Sequence, residues 1–525
     1  MPLPALAAPL LWGASLKVAA TVALEYGPAI SSVSLGAILA RQVWKRVPSW
    51  IRQEGSLTAE DNSSHEILSL TVIIEKLQDM VAVGSEKLSD DQSFLEASQL
   101  QASLLCYIRL AAQLKDRYPN IRDEKYEHIS SQPDGNTGSI HWPDIAQGLD
   151  FAVWAYDVDT DQLRTKLEAV EFFLVQHTLT ANMPPGHVAH YIAACPEQKT
   201  LLIGVQGTST LEDLLIDCVG KATTCEMDAI PFEKELYTLS NDDIMVFDQD
   251  NESIATATTP SSAIEISHFD GVRIRCHEGI LLSAKRLADK VQSVVHQMTF
   301  GNSAYKVLLC GHSLGAGVAC LLAILLKSRM PWLENVHVYA YACPPILDYD
   351  AALACSSFCT SIVNNSDLIA RCSLANLRSF VHVLSAIHTK LTEHGLSPNG
   401  PKSAMALFRY LRQGNQGDLL LSCDEIQKEM EDALEKVGLQ DSEHLYVPGR
   451  VILMYEPWQG EEKGEKDEVE SLPRVYGCVT NGVAIPLRFF EFDGSRMVTD
   501  HLTASYYISV NALAAADAAK GESEI

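Results

Sequence analysis

The sequence predicts an α/β protein with a mostly parallel central sheet, and three observations carry that expectation. Short apolar runs alternate with helical patterns over about 370 residues of the downstream chain. One run, Lys306-Val307-Leu308-Leu309-Cys310, passes through Gly311-His312-Ser313-Leu314-Gly315 into an Ala/Leu-rich stretch of strong helix propensity. Turn-forming residues follow the later runs: Pro344-Pro345 after Val336–Tyr341, and Asn365-Ser366-Asp367 after 360–364.

The chain has 525 residues, too many for one minimal core, so a large domain with additions is expected. Apolar residues make up 47% and charged ones 20%, the balance of a globular protein. Forty basic against 67 acidic residues give a formal net charge of −27. That field disfavours a nucleic-acid partner, for which no basic stripe is present, and simple electrostatic docking on anionic lipid. The 13 cysteines are odd in number and scattered. Cys310, Cys320 and Cys343 fall in strand or helix patterns, as buried thiols of a reducing, intracellular and cytoplasmic setting would. Cys355-x-x-x-Cys359 has no second ligand pair at zinc spacing, and no motif asks for a metal or a cofactor.

Residues 1–50 form an apolar N-terminal segment interrupted by Lys17, Glu25 and Gly27-Pro28. No stretch in it reaches the roughly 18 uncharged residues of a spanning helix. A membrane-lying or anchored segment, packed helices and a cleaved targeting peptide all remain open. Residues 51–140 read as a helical extension and linker. Ile67, Leu68, Leu70, Ile73, Ile74 and Leu77 mark one apolar helix face; Leu100, Leu104, Leu105, Ile108, Ala111 and Leu114 mark another.

The α/β domain is expected over 141–515, with insertions near 221–270 and 395–445 and a tail over 516–525. A helix begins near Pro143. Asp157, Asp159, Asp161 and Glu168 match positions of a calcium loop, but Gln162 stands where such a loop needs glycine, so an acidic helix start is the simpler reading. Strands follow at 188–194 and 200–205, then a segment over 211–219 and an acidic, irregular stretch over 221–270. His277-Glu278-Gly279 opens a helix running to about Met298. After 364, helices fill 372–390 and 423–437, and strands are expected at Arg450–Tyr455, Val475–Thr480 and Leu487–Phe492.

The strand–turn–helix around Ser313 has the form of a nucleophile elbow, G-x-S-x-G. Serine is a weak nucleophile that needs a neighbouring base, and a sharp turn presents its hydroxyl. Strand and helix pass closely there, so Gly311 and Gly315 leave no room for side chains. The Leu314 N–H, at the helix start, is placed to face a developing oxyanion. The acid and base should lie downstream, in loops at the sheet's C-terminal edge. Asp367 follows a strand directly, and His501 comes late, after the expected 487–492 strand. Asp348 and Asp350 compete for the acid; His382, His388 and His444 compete for the base. A second oxyanion donor should follow an earlier strand, where Gly207-Thr208 stands. His312 reads as packing.

Taken in order, these segments resemble the class 3 lipases, and more closely their diacylglycerol-lipase-like branch. The resemblance covers about 145–510 and is carried by Gly207-Thr208 with Asp213 and Asp217, His277-Glu278-Gly279-Ile280, Gly311–Gly317, Pro344-Pro345, Asp367–Arg371, Pro448-Gly449-Arg450 and Asp500-His501. It implies an α/β-hydrolase fold with an N-terminal helical extension, and a serine hydrolase cleaving lipid esters, diacylglycerol-type acylglycerols first. It implies a triad of Ser313, Asp367 and His501, oxyanion donors at Thr208 and Leu314, and a lid carrying Leu211, Leu214, Leu215 and Ile216. The partners implied are a lipid substrate and a membrane or lipid-droplet surface. Gln206, Ala370 and Ile280 depart from the family's arginine, proline and phenylalanine; none of these removes a proton-transfer group. A catalytically weak lipid-binding or scaffold protein on the same fold, and a phospholipase A or acyltransferase, are the alternatives.

Overall fold

A computed structural model describes residues 97–117, 140–179, 186–208, 220–227, 272–301, 304–397, 401–412, 419–422, 444–455, 476–480 and 496–523, with a few positions between 424 and 432. Helix α1 (Ala97–Arg117) stands upstream of the domain. Helices α2 (Trp142–Trp154) and α3 (Thr160–Glu168) open it, followed by strands β1 (Phe173–Thr178), β2 (His190–Cys195) and β3 (Thr200–Val205). A hairpin of β4 (Ala222–Met227) and β5 (Val272–His277) leads into α4 (Glu278–Thr299), β6 (Lys306–His312), α5 (Leu314–Arg329) and β7 (Val336–Tyr341). Then come α6 (Tyr349–Ala354), β8 (Cys359–Asn364), α7 (Leu374–Glu393), α8 (Pro401–Arg412), β9 (Arg450–Tyr455), β10 (Tyr476–Thr480), α9 (Arg496–Thr499) and α10 (Thr503–Ser523).

The main sheet has the order β1-β2-β3-β6-β7-β8-β9-β10. Its centre, β3 to β9, is parallel; β1, β2 and β10 add antiparallel edges. The strand period of two sorts side chains onto two cores. Leu201, Ile203, Val307 and Leu309 join the core under α4 and α5. Leu202, Leu308 and Cys310 join the opposite core with α2, α3 and α10. Both faces are covered, so the central strands are apolar throughout, as a parallel sheet requires. Helix α5 is buried nearly all round, which fits its unbroken apolar sequence. The arrangement is the α/β-hydrolase fold that the elbow motif led us to expect.

Several details differ from the sequence reading. Residues 222–227, expected within an irregular insertion, pair with β5 as a strand. Strand β1 sits at an edge with Phe173 and Val175 exposed, so it lacks the buried-strand pattern. His501 follows the short helix α9, not a strand, and α10 continues past 515 to Ser523. The strand expected over Leu487–Phe492, the helix face from Ile67 to Leu77, and most of 423–437 lie outside the described residues. At the calcium-like loop, the Asp159 carboxylate accepts the N–H groups of Asp161 and Gln162 and caps α3.

Helix α1 packs on α7 through a third apolar cluster that includes Leu104, Leu105, Leu110, Phe380, Leu384 and Ile387. Tyr107 stands edge-on to Phe380, ring centroids 4.8 Å apart. Among the described residues no helix is long and apolar enough to cross a membrane. Truncating Tyr107 to Ala should cost about 3 kcal/mol at that contact. The loss should appear as faster amide exchange over 97–117; protection equal to wild type would show that α1 does not depend on it.

Candidate active site

Strand β6 delivers the chain to Ser313, whose backbone sits at φ 63° and ψ −131°. That region is unfavourable for a residue with a side chain and costs on the order of 1–3 kcal/mol. The turn is held by Ser313 N–H donating to the Tyr341 carbonyl at 2.8 Å and by Ala316 N–H donating to the Ser313 carbonyl at 3.0 Å. A serine at a helix start usually caps the helix with its hydroxyl. Here the hydroxyl makes no capping bond and turns away from the helix. The sequence reading of the glycines has a direct geometric cause. A Cβ on Gly311 would lie 2.4 Å from the Gly315 carbonyl oxygen, and one on Gly315 would lie 2.4 Å from that of Val205.

The hydroxyl turns toward His501, with Oγ 3.1 Å from Nε2. The other ring nitrogen, Nδ1, lies 3.0 Å from Asp367 Oδ1 and 3.2 Å from Oδ2. An ionised carboxylate only accepts, so Nδ1 carries the proton and the Nε2 lone pair faces the serine. Ser313, His501 and Asp367 are 1%, 6% and 0% exposed, so this contact is made away from bulk water. Burial alone would raise the Asp367 pKa. The imidazole of His501, the Tyr506 hydroxyl and the Ile369 N–H outweigh it and hold the carboxyl below its usual range. The Tyr506 hydroxyl donates to Oδ2 at 2.7 Å and the Ile369 N–H to Oδ1 at 2.9 Å.

Two side chains fix the loops that carry this pair. Buried Arg371 donates to the Asp367 and Asn365 carbonyls at 2.7 and 2.8 Å. Asp500, next to His501, accepts from Asn365 Nδ2 at 3.0 Å and from the Ser366 N–H at 3.1 Å. The Asn364 side-chain amide likewise donates to the Asp500 carbonyl at 3.0 Å. The loops bearing acid and base are thus tied backbone to side chain in both directions.

The competing candidates lie outside this contact. Asp348 caps α6, and Asp350 follows within that helix. His382 lies 3.9 Å from Glu429, His388 is on α7, and His444 packs on Tyr446. Thr208 follows β3 half-buried, one residue after Gly207, whose backbone lies against Gly315 in the first turn of α5, the helix that begins at Leu314. Leu211, Leu214, Leu215 and Ile216 lie outside the described residues, as do Asp213 and Asp217. Tyr506 was not singled out from the sequence. Its signal is helical spacing: Tyr506, Val510 and Leu513 form the buried face of α10.

Asp367 titrates below its unfolded value, so its carboxylate adds stability above that value, about 3.9, and loses it as pH falls through the folded value. Replacing Tyr506 by Phe removes a donor, raises the folded pKa and moves the acid loss to higher pH. At neutral pH it should cost about 1–3 kcal/mol. Thermal midpoints followed from about pH 7 down to about pH 3 check this; an acid limb that does not move would mean that the hydroxyl does not hold the carboxylate.

Residues 203–377 match the family described as lipase (class 3). Rat diacylglycerol lipase-alpha is 27% identical over 198 residues, 36% of this chain and 15% of that protein. Mouse diacylglycerol lipase-beta is 27% identical over 164 residues, 28% of this chain and 24% of that protein. The chain therefore spans a minor part of the length of these relatives. A secreted mono- and diacylglycerol lipase 2 of Gibberella zeae is 39% identical over 70 residues, 13% of this chain and 17% of that protein. Among solved structures, a Rhizomucor miehei lipase–propeptide complex aligns over 43% of this chain and 61% of that one, at 16% identity and a TM-score of 0.29. Over residues 203–377 the chain is therefore similar to the class 3 lipases, and diacylglycerol lipases are among its relatives.

Proposed function

We propose that the protein hydrolyses carboxylic esters of lipids, diacylglycerol-type acylglycerols first, with Ser313 as nucleophile, His501 as base and Asp367 as its orienting acid. The observation that carries this reading is the continuous hydroxyl–imidazole–carboxylate contact at a strained turn. His501 Nε2 takes the Ser313 proton as Oγ attacks the acyl carbonyl carbon. The Thr208 and Leu314 N–H groups receive the oxyanion. The imidazolium then protonates the leaving alcohol, and a water deprotonated by His501 releases the fatty acid from Ser313.

A lipid substrate is supported by the diacylglycerol lipases among the relatives and by exposed Leu502, immediately after the base. Ten cysteines among the described residues are free and buried, which supports an intracellular, cytoplasmic setting. There the enzyme would work at a membrane or lipid-droplet surface, with residues 1–50 as the candidate attachment.

Ser313→Ala should lower kcat by about 10⁶ and abolish labelling by a fluorophosphonate probe. His501→Ala should cost a similar factor, and the double variant no more than either alone, because the three groups act as a unit. Turnover unchanged in Ser313→Ala would end the assignment. A panel of diacylglycerol, monoacylglycerol, triacylglycerol and phospholipid tests the substrate; phospholipid preferred over every acylglycerol would replace diacylglycerol.

A further inference from the structure

One buried imidazole beside the base has no part in the chemistry above. The His312 ring lies 4.9 Å from that of His501, tilted by 37°, and is 5% exposed. Its Nε2 is 3.0 Å from the His501 carbonyl oxygen. A carbonyl only accepts, so Nε2 carries the proton. Burial first, and then neighbouring His501, hold the His312 pKa down to about 3, so the ring is neutral at working pH and Nδ1 keeps its lone pair.

That lone pair faces the Tyr156 hydroxyl at 3.4 Å, and the same hydroxyl lies 3.4 Å from the His312 carbonyl. The Gly207 backbone lies against the same Tyr156 oxygen: a Cβ there would sit 2.5 Å from it. A chain of contacts therefore runs from the Gly207 backbone through Tyr156 and the His312 ring to the His501 main chain. One end of it is the loop bearing Thr208. The other is the residue bearing the base. Its middle member is bonded directly to Ser313. The edge of Tyr506, the donor to Asp367, closes the remaining side of the His312 ring at 5.7 Å.

We propose that Tyr156 and His312 are positioning residues that set the distance between the oxyanion loop and His501, so that base and oxyanion donors meet one acyl carbonyl. The inference rests on the function proposed above and adds two side chains to it. A ring that merely filled space would need only its volume. A strut needs its N–H donor at Nε2 and the hydroxyl at Tyr156. The fixed tautomer has a second consequence: His312 presents no basic nitrogen toward His501 and does not compete with it for the serine proton.

The test separates donor from volume on a soluble short-chain ester. His312→Leu keeps bulk and loses the donor; His312→Gln returns an amide N–H near the Nε2 position. We expect His312→Leu to lower kcat and the rate of fluorophosphonate labelling together by about 10- to 100-fold, with KM within about twofold. His312→Gln should recover most of that loss. Tyr156→Phe should weaken a boronic acid transition-state analogue by the factor it takes from kcat, leaving KM in place. Equal activity in His312→Leu and His312→Gln, at either level, overturns the proposal. Histidine side-chain NMR of the folded Ser313→Ala protein reads the same claim without turnover. His312 should stay neutral and Nε2-protonated at pH values where ordinary histidines have charged; titration near about 6.5 or an Nδ1–H tautomer overturns it. Wild-type protein that fails to label at Ser313 would remove the function and this inference with it. Normal labelling in both wild type and His312→Leu would remove the inference alone.

Discussion

Backbone meets backbone where β3, β6 and the first turn of α5 cross, and the site follows from how little room that crossing leaves. A methyl group at 311 or 315 would overlap carbonyl oxygens of the neighbouring segment. The close approach sets Ser313 at positive φ and takes its hydroxyl away from the helix it would otherwise cap. It also brings the loop after β3 against the helix start, where unpaired N–H groups gather. Strain of this kind persists only where the surroundings over-determine it. The surroundings here are a parallel sheet packed on both faces.

The second constraint is polar and equally local. Asp367 is buried, so its carboxylate must be fully met or its burial would cost several kcal/mol. His501, Tyr506 and Ile369 meet the oxygens, while Arg371 donates to main-chain carbonyls of the same loop. Asp500, the residue before the base, accepts from that loop and ties it to His501. A network of this sort is worth more than its separate bonds, because removing one member leaves another buried and unmet.

Much of this was legible in the chain. Strands such as Val336–Tyr341 and Arg450–Tyr455 are apolar runs closed by turn residues, and their bounds fall where those residues place them. Ser313, Asp367 and His501 were legible because each stands at a sequence landmark: an elbow, a post-strand turn and a late Asp-His pair. Strand β1 was not, because two of its apolar side chains point into solvent and the edge position hides the period. Strand β5 does alternate, with Ile274 and Cys276 buried and Arg273 and Arg275 before and between them, but its partner lies across a long insertion that no local pattern bridges. Tyr506, Tyr156 and His312 make their contacts with residues more than a hundred positions away. Their residue types carry no hint of that until the sheet has folded.

In the mechanism proposed, the charge arrangement around His501 decides what the imidazole can become. The neutral ring already points one N–H at a buried carboxylate, and proton transfer from Ser313 would give it a positive charge in the same place. Asp367, held ionised below its usual range, stabilises that charge at short distance in a dry setting, where the interaction is stronger than in water. His312, the nearest other imidazole, is kept neutral by burial and adds no second positive charge beside it. The site therefore favours a single imidazolium at 501, bounded by an anion on one side and a neutral ring on the other. A base that must gain a proton and give it back within one turnover needs its charge met in this way, and its neighbours must not take the proton first.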